Sequence, residues 1–332
     1  MNPTRRRFIG IAAAASALAL APLPARRAAA SIAPTVWRGV ALGADAELRL
    51  YHPEPQAAQR LIAQALQELR RLEGIFSLYR EDSALSRLNR QGYLDDPPAD
   101  LLQLLSVSLR YGRLTGGAFD PTVQPLWQLY AGHFSQPGAD PAGPSAQAVA
   151  RALDRVSRED VALDSGRIAL GLPGMGITLN GIAQGYITDR VTELLKLGGL
   201  ERALVDMGEI QGMDSRAAAA DWQVGLADPQ DPARLLATAS LRNQALATSG
   251  GYGTALDAEG RYTHLFDPRT GRARPLYRSV SVMAPNATLA DALSTAFSHM
   301  PLDAARPIVR EHGLRAWFAL PDGGLQVLEA GG

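Results

Sequence analysis

Asp291 and Thr295 stand four residues apart in the stretch Arg278–Met300. Side chains at i and i+4 share one helix face, so both oxygens project the same way. A carboxylate beside a hydroxyl suits a small hard cation such as Mg²⁺, which takes oxygen ligands and leaves room for substrate phosphates. The same spacing also fits a solvated polar face, and the pair alone does not choose. Three further stretches carry groups able to meet a ligand. Thr115-Gly-Gly-Ala118-Phe119-Asp120-Pro-Thr122 combines permissive glycines with an Asp-Pro-Thr start that exposes main-chain amides. Leu179-Asn-Gly181-Ile-Ala-Gln184-Gly185-Tyr186 opens a helix whose glycines admit phosphate close to the backbone, though it is neither a Walker A sequence nor a G-x-G-x-x-G fingerprint. Tyr262-Thr-His264-Leu-Phe266-Asp-Pro-Arg-Thr-Gly271 sets a histidine, the side chain suited to general acid or base work near neutrality, before an Asp-Pro turn. Each has a plain alternative: a capping turn, a helix start, a structural histidine.

The elements that must hold these groups are legible in the periodicity. Val280, Val282 and Ala284 alternate with polar residues up to Pro285, which predicts a strand. Asn286 or Thr288 then caps a helix over 287–300 with Leu289, Leu293 and Phe297 on its apolar side. Earlier, 41–51 alternates like a strand, and Pro55 opens a long helix through Phe76. Helices are also predicted over 101–114, 146–156 and 303–312, and one after Gly185 ending near Leu197. The Gly- and Pro-rich span 131–145 reads as an exposed loop. Further strands are expected at 161–163, 167–170, 202–206, 222–226, 236–241, 262–266 and 315–320. Helices and strands do not alternate regularly, which favours α+β over a doubly wound parallel sheet.

Composition narrows the function classes. Thr4-Arg-Arg-Arg-Phe-Ile-Gly10, a short apolar run and Ala28-Ala-Ala30 form a twin-arginine signal peptide over residues 1–30, leaving 31–332 as the mature chain. The expected location is the periplasm. The leader holds five Arg and no acid, so the mature chain has 28 basic against 33 acidic residues, a net of −5. No basic patch favours nucleic acid. The apolar run is too short for a confident membrane span, and no stable insertion of the mature chain is expected. Lys196 is the only lysine, and there is no cysteine, which removes thiolate metal sites, cysteine nucleophiles and lipidation.

Six motifs occur in one order: Tyr79 to Asn89, Thr115-Gly-Gly-Ala-Phe-Asp-Pro, Gly181-Ile-Ala-Gln-Gly-Tyr, Thr248-Ser-Gly-Gly-Tyr252, His264-Leu-Phe-Asp-Pro-Arg-Thr-Gly and Ala290-Asp-Ala-Leu-Ser-Thr. The succession resembles the ApbE family of FAD:protein FMN transferases over about residues 36–330. That resemblance implies a single α+β domain with a T-fold-like core of mostly antiparallel sheet. It implies transfer of FMN from FAD to a Ser or Thr hydroxyl of an exported or membrane-anchored redox protein, with Mg²⁺ required and AMP released. Non-catalytic FAD binding and FAD hydrolysis are the alternatives. By motif, FAD is expected near Leu42, Tyr79, Ala118, Phe119, Asp120, Thr178, Gln184 and Phe266. The metal is expected on the Gly181 carbonyl, Asp291 and Thr295, and His264 as the base. Acceptors implied include subunits of sodium-pumping or Rnf-type complexes and the flavoprotein serving nitrous oxide reductase. The sequence departs from the usual pattern at Leu42, Thr178, Gln184, Ser294 and Asp206-Met-Gly-Glu209.

Overall fold

The computed structural model describes residues 32–216 and 220–331. The predicted signal peptide at 1–30 lies outside the described residues. A hairpin of β1 (Thr35–Ala41) and β2 (Ala44–Tyr51) leads to α1 (Pro55–Phe76) and α2 (Ala84–Gln91). Then come β3 (Tyr93–Asp95), α3 (Ala99–Leu114), α4 (Gln124–Phe134), α5 (Ala146–Leu153), β4 (Val161–Leu163), β5 (Arg167–Leu170) and α6 (Ala183–Leu197). The rest alternates in blocks: β6 (Arg202–Asp206), β7 (Ile210–Asp214), β8 (Trp222–Asp228), β9 (Asp231–Leu241), β10 (Ala245–Gly250), β11 (Ser279–Ala284), α7 (Ala287–Phe297), α8 (Leu302–Glu311), β12 (Arg315–Ala319) and β13 (Leu325–Glu329).

Among the described residues, eight strands form one sheet in the order β1-β2-β6-β7-β10-β11-β12-β13. Every pairing in it is antiparallel. The expected α+β architecture is therefore the one adopted. Strand alternation sorts side chains to two faces. Ala203, Val205, Ala247, Val280, Val282 and Phe318 face the helices and join the largest core cluster, with Leu69, Leu72, Val191, Leu293 and Phe297. Their neighbours Leu204, Ile210, Leu246 and Trp317 point the other way, where the ribbon of β8 and β9 covers them with Trp222, Val224, Leu226 and Leu241. A third cluster ties α4 and α5 to the loop after β10 through Leu126, Tyr130, Phe266 and Ala273.

Several expectations need correction. Residues 262–266 are not a strand. Thr263 makes one isolated bridge to Ala255, and His264 donates its N–H to the Thr254 carbonyl at 3.1 Å. The segment folds against its own loop because the Asp267–Pro268 turn reverses the chain, so its apolar residues pack on α4 rather than in a ladder. The span 131–145 begins inside α4, which runs on to Phe134. The strands β1, β3, β7, β10 and β13 and the helix α2 were not anticipated.

Candidate active site

The site is built where the helix-facing stripe of the sheet runs out. Asn286 caps α7, its Oδ1 accepting the Leu289 N–H at 2.9 Å, which settles the choice between Asn286 and Thr288. Thr288 and Ala287 instead donate to the Asp189 carboxylate on α6. These bonds lock α7 against α6. Asp291 then accepts the Gly185 N–H at 2.9 Å across the two helices. Thr295 follows one turn later against the loop before α6: a Cβ on Gly181 would lie 2.9 Å from Thr295 Oγ1. The Gly181 turn and the Asp291 helix therefore meet.

One cleft of about 2020 Å³, its open mouth included, joins these groups. Tyr79, Ala118, Phe119, Asp120, Thr178, Gly181, Gln184, His264, Phe266, Asp291 and Thr295 all line it. Leu42 does not. It sits in the β1–β2 turn at φ 46°, with its N–H on Glu73. The Thr115–Thr122 segment is held from within: the Thr115 hydroxyl accepts the Phe119 N–H at 3.0 Å, and Asp120 Oδ1 accepts both the N–H and hydroxyl of Thr122. Asp120-Pro-Thr is a turn and the helix starts only at Gln124. Thr178 joins this segment by donating its N–H to the Pro121 carbonyl at 2.8 Å. Tyr79 stands at the mouth, 62% exposed.

His264 Nδ1 lies 3.2 Å from the Thr254 carbonyl. A carbonyl only accepts, so Nδ1 carries the proton and Nε2 is left as an acceptor. Burial pushes the His264 pKa below its ordinary value, against a smaller opposing effect of the Thr254 carbonyl. The imidazole is thus neutral near pH 7, the form a general base needs.

Five acids line the cleft: Asp45, Asp120, Asp206, Glu209 and Asp291, with no Arg or Lys among the lining residues. Burial raises Asp206 to about 7, with help from the charges of Glu47 and Asp45 and against the Gly208 N–H. Glu209 is pushed well up by burial, then by Asp291 and Asp206. Burial lifts Asp291 to about 7, opposed by the Gly185 N–H and aided by Asp189. Among the described residues Asp291 takes the Gly185 N–H and has no basic side chain acting on it. A buried carboxylate short of positive charge, a hydroxyl one turn away and a glycine leaving its carbonyl free together form an all-oxygen donor set. These residues fit a small hard cation.

The motif reading gave no role to several lining residues from β2, α4, β10 and the loop after β10. Asp45, Trp127, Ser249, Tyr252 and Thr254 also line the cleft. Ser249 and Tyr252 lay in a noted motif without an assigned role, whereas Asp45 and Trp127 carry no signal apart from the fold.

The sequence matches the ApbE family over residues 42–318. The FAD:protein FMN transferase of Treponema pallidum (strain Nichols) is 33% identical over 311 residues, covering 85% of this chain and 83% of that protein. The protein of the same name from Klebsiella pneumoniae (strain 342) is 30% identical over 304 residues, covering 87% and 82%. The crystal structure of the ApbE protein from Thermotoga maritima matches with a TM-score of 0.79 at 27% identity, covering 89% of this chain and 97% of that one.

Proposed function

The chain belongs to the ApbE family, and from that premise we propose that it is an FAD:protein FMN transferase acting on a Ser or Thr hydroxyl of an exported redox protein. The observation that carries the reading is that one cleft gathers His264, the Gly181–Asp291–Thr295 oxygen set and seven of the eight residues expected to hold FAD. Mg²⁺ held by the Gly181 carbonyl, Asp291 and Thr295 would neutralise pyrophosphate charge and favour departure of AMP. Phe119, 5% exposed and lining the cleft beside Gly181, offers a rigid apolar wall to an aromatic ring. The protein's own chemical step falls to His264. Its Nε2 takes the proton of the acceptor hydroxyl as that oxygen bonds to the FMN phosphorus and the bond to AMP breaks. The Thr254 carbonyl holds the ring in the tautomer that this transfer requires.

The twin-arginine leader supports a periplasmic location, where the acceptor's Ser or Thr would be exposed. Acceptors of the sodium-pumping, Rnf or nitrous oxide systems are consistent with that compartment. The test is intact-mass analysis of co-exported candidate acceptors after incubation with the protein, FAD and Mg²⁺. The expected result is a gain of one FMN on the acceptor and one AMP released per transfer. FMN and AMP formed without any acceptor adduct would make the protein a pyrophosphatase. FAD bound with neither product would make it a carrier.

A further inference from the structure

Thr295 is one of four hydroxyl and carbonyl groups that touch in sequence. Ser249 Oγ, on β10, lies 2.7 Å from Ser294 Oγ and 3.2 Å from Thr295 Oγ1. Ser294 Oγ in turn lies 2.9 Å from the main-chain oxygen of Asp291. Each hydroxyl has one proton to give, and a carbonyl has none. Ser294 must therefore donate to Asp291. Its proton is then spent, so in the 2.7 Å contact Ser249 is the donor. With the Ser249 proton committed, the 3.2 Å contact is completed by Thr295 donating to Ser249. The direction of every bond follows from the carbonyl at the end.

We propose that Ser249 and Ser294 are positioning residues for the cation site: their hydroxyl chain draws the Thr295 proton toward β10 and leaves the Thr295 oxygen a pure acceptor toward the cleft. The inference rests on the proposed metal role of Thr295. A hydroxyl free to rotate presents its proton to an incoming cation in part of its rotamers. One whose proton is held elsewhere is already arranged for coordination. Partners behind a ligand commonly set metal affinity in this way. The chain also runs between elements, because Ser249 belongs to the sheet while Ser294 and Thr295 belong to α7. Ser294 is fully buried, so water does not substitute readily for its partner.

The test compares Ser249→Ala, Ser294→Ala and Ser298→Ala with the unaltered protein. Ser298, the buried C-cap residue of α7, donates its hydroxyl to the Ser294 main-chain carbonyl at 2.9 Å and has no place in the chain of hydroxyls, which makes it the control. Mn²⁺ affinity is read by electron paramagnetic resonance in the presence of FAD, with Mg²⁺ competition, and melting temperature is read without ligands. Ser249→Ala and Ser294→Ala should each weaken Mn²⁺ binding about tenfold. Ser249→Thr, which keeps the hydroxyl, should recover most of that loss. Ser298→Ala should leave the affinity unchanged. The inference is overturned if Ser249→Ala binds Mn²⁺ as tightly as the parent, or if Ser298→Ala weakens it equally. A parent protein that takes up no Mn²⁺ would instead remove the cation reading itself.

Discussion

Replacing Gly185 with Ala should damage both stability and the proposed cation site, because α6 and α7 cross at that residue with no space between them. A Cβ there would lie 2.3 Å from the Ala287 carbonyl oxygen, 2.7 Å from its carbon and 2.8 Å from Asp291 Cβ. Two of the three atoms are main chain in the first turn of α7, which the Asp189 bonds hold in place. No rotamer change relieves such a contact, so the helices must part. Overpacking of a core costs about 1–3 kcal/mol. The upper end applies here, since the Gly185–Asp291 bond stretches as well. At about 2–4 °C per kcal/mol, the scale for chains of 150–250 residues, the melting temperature should fall by roughly 6–12 °C. The control is Gly132→Ala on the exposed side of α4, where a Cβ meets nothing within 4 Å. That change should stabilise by about 0.5–1 kcal/mol, the usual helix-interior gain. Differential scanning calorimetry reads both, and Mn²⁺ titration reads the displacement of Asp291. If Gly185→Ala melts and binds Mn²⁺ like the parent, the two helices are not locked as described.

His264→Ala should slow transfer by about 10²–10⁴-fold, the range of a lost general base, with FAD affinity little changed. Because burial lowers the His264 pKa, activity of the parent should persist on the acid side below pH 6.5; a loss of rate beginning well above 6.5 would contradict the neutral imidazole. Asp206→Asn should raise the melting temperature at pH 8, measured without FAD or metal. The folded pKa of about 7 exceeds the unfolded value, so the folded state favours the proton; stability falls as pH rises from about 4 to 7, and the full penalty stands above 7. The gain should vanish near pH 4, and equal gains at both pH values would count against the assignment. Chelation with EDTA should weaken FAD binding by at least tenfold, read by flavin fluorescence, since the cleft has no Arg or Lys to take the pyrophosphate charge.

The α7 end of the site was readable because its signals are local. Asp291 and Thr295 obey helix spacing, and Asn286 caps the helix as its type predicts. The edges β1 and β13 and the short β7 were hidden for a physical reason. The β7 run Ile-Gln-Gly-Met-Asp is buried on both faces and shows no alternation. Ala245-Leu-Ala-Thr-Ser-Gly, which forms β10, has small residues of weak strand preference and is held by its neighbours β7 and β11. Asp45 lies at the cleft only because β2 pairs with β6, a contact spanning some 150 residues of chain that no local pattern encodes. The failure at 262–266 has the opposite origin. Its residues look like a strand, yet tertiary packing on Tyr130 and the Asp267 turn decide its shape.

The acids of the cleft and its anionic substrate make sense only together. Burial raises the proton affinity of Asp206, Glu209 and Asp291, and the charges of Asp291 and Asp206 raise that of Glu209 further, an arrangement that works against the stability of the ligand-free protein. A pyrophosphate entering alone would meet the same repulsion. A hard cation relieves both sides at once, because it attracts the carboxylates and the phosphates that otherwise repel one another. On the proposed reading the acidic wall would act as a filter: the dinucleotide would be held well only with the cation in place. Placing the oxygen donors on α7 and the Gly181 turn, rather than on a surface loop, keeps that condition strict. Helix α7 is wedged between α6 and the sheet, with Leu293 and Phe297 fully buried, so its carboxylate cannot swing away to find water instead.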